Sequence, residues 1–354
     1  LVKLPDDFSV PSQTLHATVT PLRIAFDEYC DPVLRNIFLS NMDFFEVVTP
    51  SEAELVILHS DELGYINSSP LYKEYKSKSV CITESDIPTF RLPGLYAANQ
   101  KGLLTAGRTR TINYLISERS KPNPEIKALA GSSVEKKYLY SFMGGTNSWP
   151  RRWLFRYTPK KDDTIIEPTD KYNHWEVDEA DVEEHARRMR RRYAEVMAAS
   201  KFSICPRGCG LSSYRLFESM SLGVAPVIIS DKWRPVAGVN WDFAIFVREK
   251  DIPKLDQIVR SHEHEWQQRG QLARAAYNEF FGGDAIARTL YGQLSELRTS
   301  VHPFREFVMG YAATLRVVLR KAYWAAYDMT KKLVIKIFKT TGMSLPFRVY
   351  QPRE

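Results

Sequence analysis

Short apolar runs alternate with polar stretches through the first half of the chain. Residues Leu22–Phe26 (LRIAF), Leu55–Leu58 (LVIL) and 80–83 (VCIT) read as buried strands. Each is followed by acidic or polar residues: Asp27-Glu28, Ser60-Asp61-Glu62 and Glu84-Ser85-Asp86. Helices are expected over 31–42 and 109–118. Strands alternating with helices predict a parallel sheet, with the loops at the strand C-terminal ends available for a site. The stretch 120–124 (SKPNP) breaks the pattern with proline and asparagine, which places a domain boundary near residue 125. A second series then begins. Strands are expected at 137–143 (KYLYSFM), 164–167, 202–205, 225–229 and 243–247, with helices at 178–199, 214–222 and from 252 onward.

The expected fold class is therefore α/β, with two Rossmann-like domains at 1–125 and 126–300 and a helical tail at 301–354. A length of 354 residues suits two domains. The acidic start and basic end of the 178–199 helix complement its dipole, and Glu183 with Arg187 and Glu184 with Arg188 stand at i,i+4 spacing. The Arg run at 187–192 reads as a solvated helix face.

Charge changes this picture mainly in the tail. The formal net charge is +7, and residues 301–354 carry ten Lys or Arg against three Asp or Glu, so the rest is near neutral. Nucleic acid is not an expected partner, because a reading domain would carry the charge itself. The tail, helical over 304–338, either packs back on the first domain or contacts an anionic membrane, since Trp324, Tyr323, Ile335 and Phe338 stand among basic residues. No apolar run approaches the roughly 20 residues that span a bilayer, and residues 1–10 do not form a signal sequence. The chain does not begin with Met, so an earlier segment can have been removed. Low cysteine use and a basic tail point to the cytoplasmic face of a bacterial membrane; a Golgi-lumen enzyme that has lost its anchor is the alternative. Cys205 and Cys209 lack the second Cys or His pair of a zinc site, and no metal is expected.

The candidate chemistry lies in 200–231, SKFSICPRGCGLSSYRLFESMSLGVAPVIISD. A buried strand ends at Cys205-Pro206, the turn Arg207-Gly208-Cys209-Gly210 follows, and Ser212 or Ser213 can cap the next helix. A glycine turn feeding a helix N-terminus is a ready anion site. Arg207 and Arg215 supply the fixed charges that a diphosphate needs. Glu218, three residues past Arg215, shares its helix face and can accept from two ribose hydroxyls. The order turn, Arg, helix, Glu describes a nucleotide-diphosphate pocket.

This run, C-P-R-G-x-G-x-x-S-x-R-L-F-E-x-M-x-x-G-x-x-P-V-I-I-S-D, closely resembles the donor-binding region of exostosin-like proteins, glycosyltransferase family forty-seven. The resemblance continues through Val239-Asn240-Trp241 and 243–247 to Glu249, Asp251, Ile252 and Leu255. Upstream it takes in 140–144 (YSFMG) with Arg151 and Leu154, and 51–58 resembles a first-domain strand. It implies a GT-B fold, inversion at the anomeric carbon, a nucleotide-sugar donor held by the second domain, a glycan acceptor held by the first, and no obligatory cofactor or metal. By position, Arg207 and Arg215 would neutralise the diphosphate and Glu218 would hold the ribose. Gly144 would let the backbone approach the phosphates, and Arg151 could assist. A UDP-sugar is the expected donor; a GDP-sugar, as in a fucosyltransferase, or a non-catalytic glycan-binding role are the alternatives. Inversion needs a base for the acceptor proton. His59, Asp61, Glu62, Glu84 and Asp86 stand at first-domain strand ends, and Asp86 or Glu84 is favoured because 84–88 follows a strong strand and precedes the Pro93-Gly94 turn.

Overall fold

The structure, a computed structural model, describes residues 19–159, 161–169, 179–300, 306, 308–319, 322, 329 and 330. Two parallel sheets carry the fold. The first comprises β1 (Leu22–Phe26), β2 (Phe45–Val47), β3 (Leu55–Leu58), β4 (Ser79–Thr83), β5 (Gly94–Tyr96) and β6 (Thr109–Thr111), in the order β2-β1-β3-β4-β5-β6. The second comprises β7 (Tyr138–Gly144), β8 (Thr164–Pro168), β9 (Ser200–Pro206), β10 (Ala225–Ile229) and β11 (Ile245–Phe246), in the order β11-β10-β9-β7-β8. Every ladder within them is parallel. The central strands β3, β4, β9 and β10 are almost wholly buried, which is why they appear as apolar runs without alternation. This is the α/β architecture with two parallel sheets expected from the sequence.

Two expected elements change. The helix expected over 109–118 is split: Thr109–Thr111 pairs with β5, and helix begins only at Leu115. Two threonines in three residues favour the pleated surface, and Asn99 and Thr105 satisfy their hydroxyl groups there. On the helix Glu179–Ala198 the ion pairs are Arg187–Glu184, Arg190–Glu183 and Arg191–Glu195 rather than the expected i,i+4 set, and Arg192 reaches Glu167 on β8.

The chain returns to its first unit after completing the second. The helix Trp266–Phe280 packs on the helix Tyr214–Ser221, whereas Ala285–Ser300 lies on β5 and β6. There Arg110 pairs with Glu296, Arg298 with Glu54, and the Tyr291 hydroxyl donates to the Thr20 carbonyl at 3.0 Å. A seam also joins the units directly: Lys101 N–H donates to Lys232 O (2.8 Å), Arg234 N–H to Asn99 O (3.2 Å), and Thr111 Oγ1 to Arg234 O (2.8 Å).

Of the tail, residues 308–319 are helical. Ala313 and Val317 are buried, and Arg316 lies 5.9 Å from the Phe90 ring centre, so this part packs on the first unit. Its outer face exposes Val308, Tyr311, Leu315, Val318 and Leu319. Tyr323, Trp324, Ile335 and Phe338, on which the membrane expectation rests, lie outside the described residues.

Candidate functional site

A cleft with a cavity volume of about 1170 Å³ opens where the helix Leu115–Ser120 faces the helix Tyr214–Ser221. Ser117 and Glu118 line one side; Arg151, Tyr193, Arg215 and Glu218 line the other. β7 and β9 end beside it, as the carboxyl edge of a parallel sheet should.

Arg215 is buried between two rings, its guanidinium carbon 4.4 Å from the Phe142 centre and 5.3 Å from that of Tyr193. Nη2 donates to the Met143 carbonyl, while Nε has no partner. Arg151 lies 5.6 Å over the same Phe142 ring, and its buried Nε is also unpartnered. Among the described residues no carboxylate forms an ion pair with either side chain. Burial, then the neighbouring Arg215 charge, lowers the Arg151 guanidinium to about 10, so it stays cationic at neutral pH. Two cations held together without a counter-ion, each with an unmet buried donor, form an anion site.

Glu218 adjoins them. Its Oε2 accepts from the Tyr193 hydroxyl at 2.5 Å, and the residue lines the cavity. Burial raises its carboxyl, opposed by the Tyr193 bond and the Arg215 charge. Gly144 is required sterically: a Cβ there would stand 3.1 Å from Arg215 Nη2 and 2.9 Å from the Phe142 ring. It therefore makes room for the guanidinium, rather than for the phosphates directly. Ser213 sits at the N-cap of the helix Tyr214–Ser221 without a side-chain capping bond, and it lines the cavity. Ser212 is buried with an unpartnered hydroxyl, so neither serine caps as expected.

Arg207 pairs within the second unit: Nε and Nη2 grip the buried Glu249 carboxylate at 2.8 and 3.3 Å, and the guanidinium lies 5.8 Å from the Trp149 ring centre. Glu249 also receives the Asp231 N–H, so the pair braces the loops after β9 and β10. Gly208 has the same supporting part, since a Cβ there would meet Arg151 at 3.3 Å.

The two carboxylates after β4 differ. Glu84 accepts the Ile116 and Ser117 N–H groups and the Ser117 hydroxyl, the last at 2.7 Å. Both its oxygens are engaged at the start of the helix Leu115–Ser120. Asp86 reaches across the cleft to the second unit. Its Oδ1 accepts from the Tyr114 hydroxyl at 3.3 Å and the Gly210 N–H also binds the carboxylate. A Cβ on Gly210 would come within 2.4 Å of Oδ1, so only glycine admits this contact. Desolvation raises the Asp86 carboxyl, against the pull of Tyr114, Arg151 and the Gly210 N–H.

Tyr193 and Glu118 were not singled out from the sequence; each is remote from the motif and carries no spacing signal. Glu118 accepts from Asn113 Nδ2 at 2.7 Å. Burial, with the Glu218 and Glu84 charges, pushes its carboxyl from 4.5 up to about 8. A raised folded-state value means stability present below 4.5 and lost as pH rises through about 8, because the unfolded chain releases the proton first. Glu118→Gln is therefore expected to match the wild type in urea denaturation at pH 4 and to exceed it at pH 9. Parallel pH profiles for the two proteins would refute this.

The fold and cleft are those of a two-unit α/β protein with its anion site in the second unit. Residues 117–262 match the Exostosin GT47 domain. An exostosin-1 homolog of Caenorhabditis elegans is 33% identical over 138 residues, covering 36% of this chain and 36% of that protein. A probable glycosyltransferase of Arabidopsis thaliana is 31% identical over 150 residues, covering 41% of this chain and 30% of that protein. The chain thus spans about a third of the length of these curated relatives. A crystal structure of an alpha1,3-fucosyltransferase aligns with a TM-score of 0.38 at 15% identity, over 81% of this chain and 92% of that one.

Proposed function

We propose that this protein is an inverting glycosyltransferase that moves a sugar from a UDP-sugar to a hydroxyl of a glycan. The observation that carries the reading is the pair Arg151 and Arg215, stacked on Phe142 without a carboxylate partner and set beside Glu218 in the cleft. The exostosin-type domain over 117–262 supplies the reaction class. Arg151 and Arg215 would receive the diphosphate, and Glu218 would accept from the ribose. Negative charge grows on the diphosphate as the bond from the anomeric carbon to its oxygen breaks, and positioned cations in a dry site favour that state. Asp86, with Oδ1 held by Tyr114 and its carboxylate set against Gly210, would take the proton of the acceptor hydroxyl as its oxygen bonds the anomeric carbon. The electron pair of the broken bond leaves with the nucleoside diphosphate.

The test is calorimetry and thermal shift with UDP, GDP, CMP and ADP, without added metal, on wild type and Glu218→Ala. Selective UDP binding that disappears in the variant is the expected result. Selective GDP binding would replace the UDP-sugar by a GDP-sugar. No binding of any nucleotide would remove the transferase reading and favour a glycan-binding role.

A further inference from the structure

A second cluster of polar and aromatic side chains stands at the carboxyl edge of the first sheet, outside the cleft residues described above. β1, β3 and β4 are successive parallel neighbours, so their C-terminal ends share one edge. Asp27 is the first residue after β1 and His59 the first after β3. Asp86, in the loop after β4, meets Gly210 of the second unit from this same edge. Neighbouring strands in a sheet are about 4.8 Å apart, so the cluster begins one strand away from the β4 end.

Within it, His59 Nδ1 lies 3.0 Å from Asp27 Oδ2, which also accepts the Tyr65 hydroxyl. Asp27 is buried, and its other oxygen, Oδ1, has no partner. The His59 ring packs against Tyr65 with centres 4.1 Å apart and against Tyr29 at 5.6 Å. Tyr29 is 64% exposed and the His59 side chain 32%. A carboxylate beside Nδ1 makes that nitrogen the donor, so Nε2 of the neutral ring is an acceptor. No hydrogen bond within the described residues engages Nε2. The arrangement offers an exposed aromatic face, one oriented polar atom, and a buried carboxylate that fixes both. Single polar groups positioned beside apolar surface are what small polar ligands bind.

The surrounding charge selects among such ligands. Asp27, Glu28 and Asp31 follow β1, and Asp61 and Glu62 follow β3, while the Arg35 guanidinium donates to the Glu28 carbonyl. Asp61 is turned inward to Thr89 and Phe90. An acidic sugar would be repelled here; a neutral ring would not.

We propose that Tyr29 and His59, held by Asp27 and Tyr65, form a subsite for an uncharged sugar ring of the acceptor glycan. The sugar stacks its C–H face on Tyr29 and donates one hydroxyl to His59 Nε2. This rests on the transferase reading, with Asp86 as the base, and assigns His59 to binding.

The test uses the whole chain as wild type, Tyr29→Ala, His59→Ala and Asp27→Asn. The probes are p-nitrophenyl glucoside, galactoside, xyloside and glucuronide, followed by saturation-transfer NMR and, with UDP-sugars, by transfer kinetics. UDP binding by calorimetry is measured on all four proteins. The proposal expects at least one neutral glycoside to bind, the glucuronide not to bind, and Tyr29→Ala and His59→Ala to weaken binding tenfold or more. UDP affinity should be unchanged. In transfer, the acceptor KM should rise tenfold while kcat changes less than threefold. Equal binding by wild type and both variants would overturn the subsite, as would preference for the glucuronide. A collapse of kcat in His59→Ala that added imidazole restores would also overturn it, because His59 would then be the base. Failure of wild type to bind UDP would strike the donor reading instead; glycoside binding by NMR would still decide whether the subsite exists.

Discussion

Arg151→Met is expected to lower transfer by two to three orders of magnitude, about 3–4 kcal/mol of transition-state stabilisation, while leaving the melting temperature unchanged or higher. The two effects separate because Arg151 is held against its own interest. Its guanidinium shares the Phe142 ring with Arg215, repels it, and has an unmatched buried Nε. Methionine keeps the apolar contact with Phe142 and removes the repulsion, so the resting fold gains or breaks even. What disappears is the charge that opposes the growing negative charge on the diphosphate. The fall should therefore appear in kcat more than in the KM for the UDP-sugar. The measurement is steady-state kinetics beside a thermal melt. A variant that melts early and turns over normally would mean that Arg151 is structural.

Arg108→Met should be the most destabilising single change in the first unit, at about 3–5 kcal/mol in chemical denaturation. Arg108 is wholly buried and pairs with Glu306 through Nε at 2.9 Å and through Nη2. It also donates to the carbonyls of Phe90, Leu104 and Arg91. Phe90 has φ of 59°, a left-handed conformation that a bulky side chain rarely adopts. That residue is held from both sides, its carbonyl by Arg108 and its N–H by Asp61 Oδ2 at 2.7 Å. Removing the guanidinium leaves the Glu306 carboxylate uncompensated and frees a strained backbone together. Glu306→Gln should cost less, because Arg108 keeps three carbonyls and an amide oxygen. Equal costs for the two variants would show that the charge pair, rather than the backbone clamp, dominates.

The long apolar runs were readable because burial on both faces fills a strand with apolar residues, as in LVIL of β3 and APVII of β10. β1 and β3 begin and end where the LRIAF and LVIL runs do. β2, β5 and β6 are three residues each, too short for any period to show, and β6 is Thr-Arg-Thr. The convergence of Arg215 and Glu218 was legible because one helix carries both, and helical geometry is local. The place of Arg207 was not. Its direction is decided by Glu249, 42 positions later, whose approach depends on how β11 joins the sheet. Tyr193 stayed hidden for the same reason: it reaches Glu218 only because the helix Glu179–Ala198 crosses the sheet where it does.

The double crossing of the chain has a mechanical consequence. The backbone passes between the units once near residue 120 and again between Phe280 and Ala285, and the seam of Asn99 and Lys101 with Lys232 and Arg234 lies beside β5 and β6. Two covalent links and a stitched edge oppose twisting and sliding. What freedom is left is bending about that edge, like a book opened at its spine. At the page corner Asp86 meets Gly210 and Tyr214 meets Ser117 and Tyr114, so the width of the opening is reported there first.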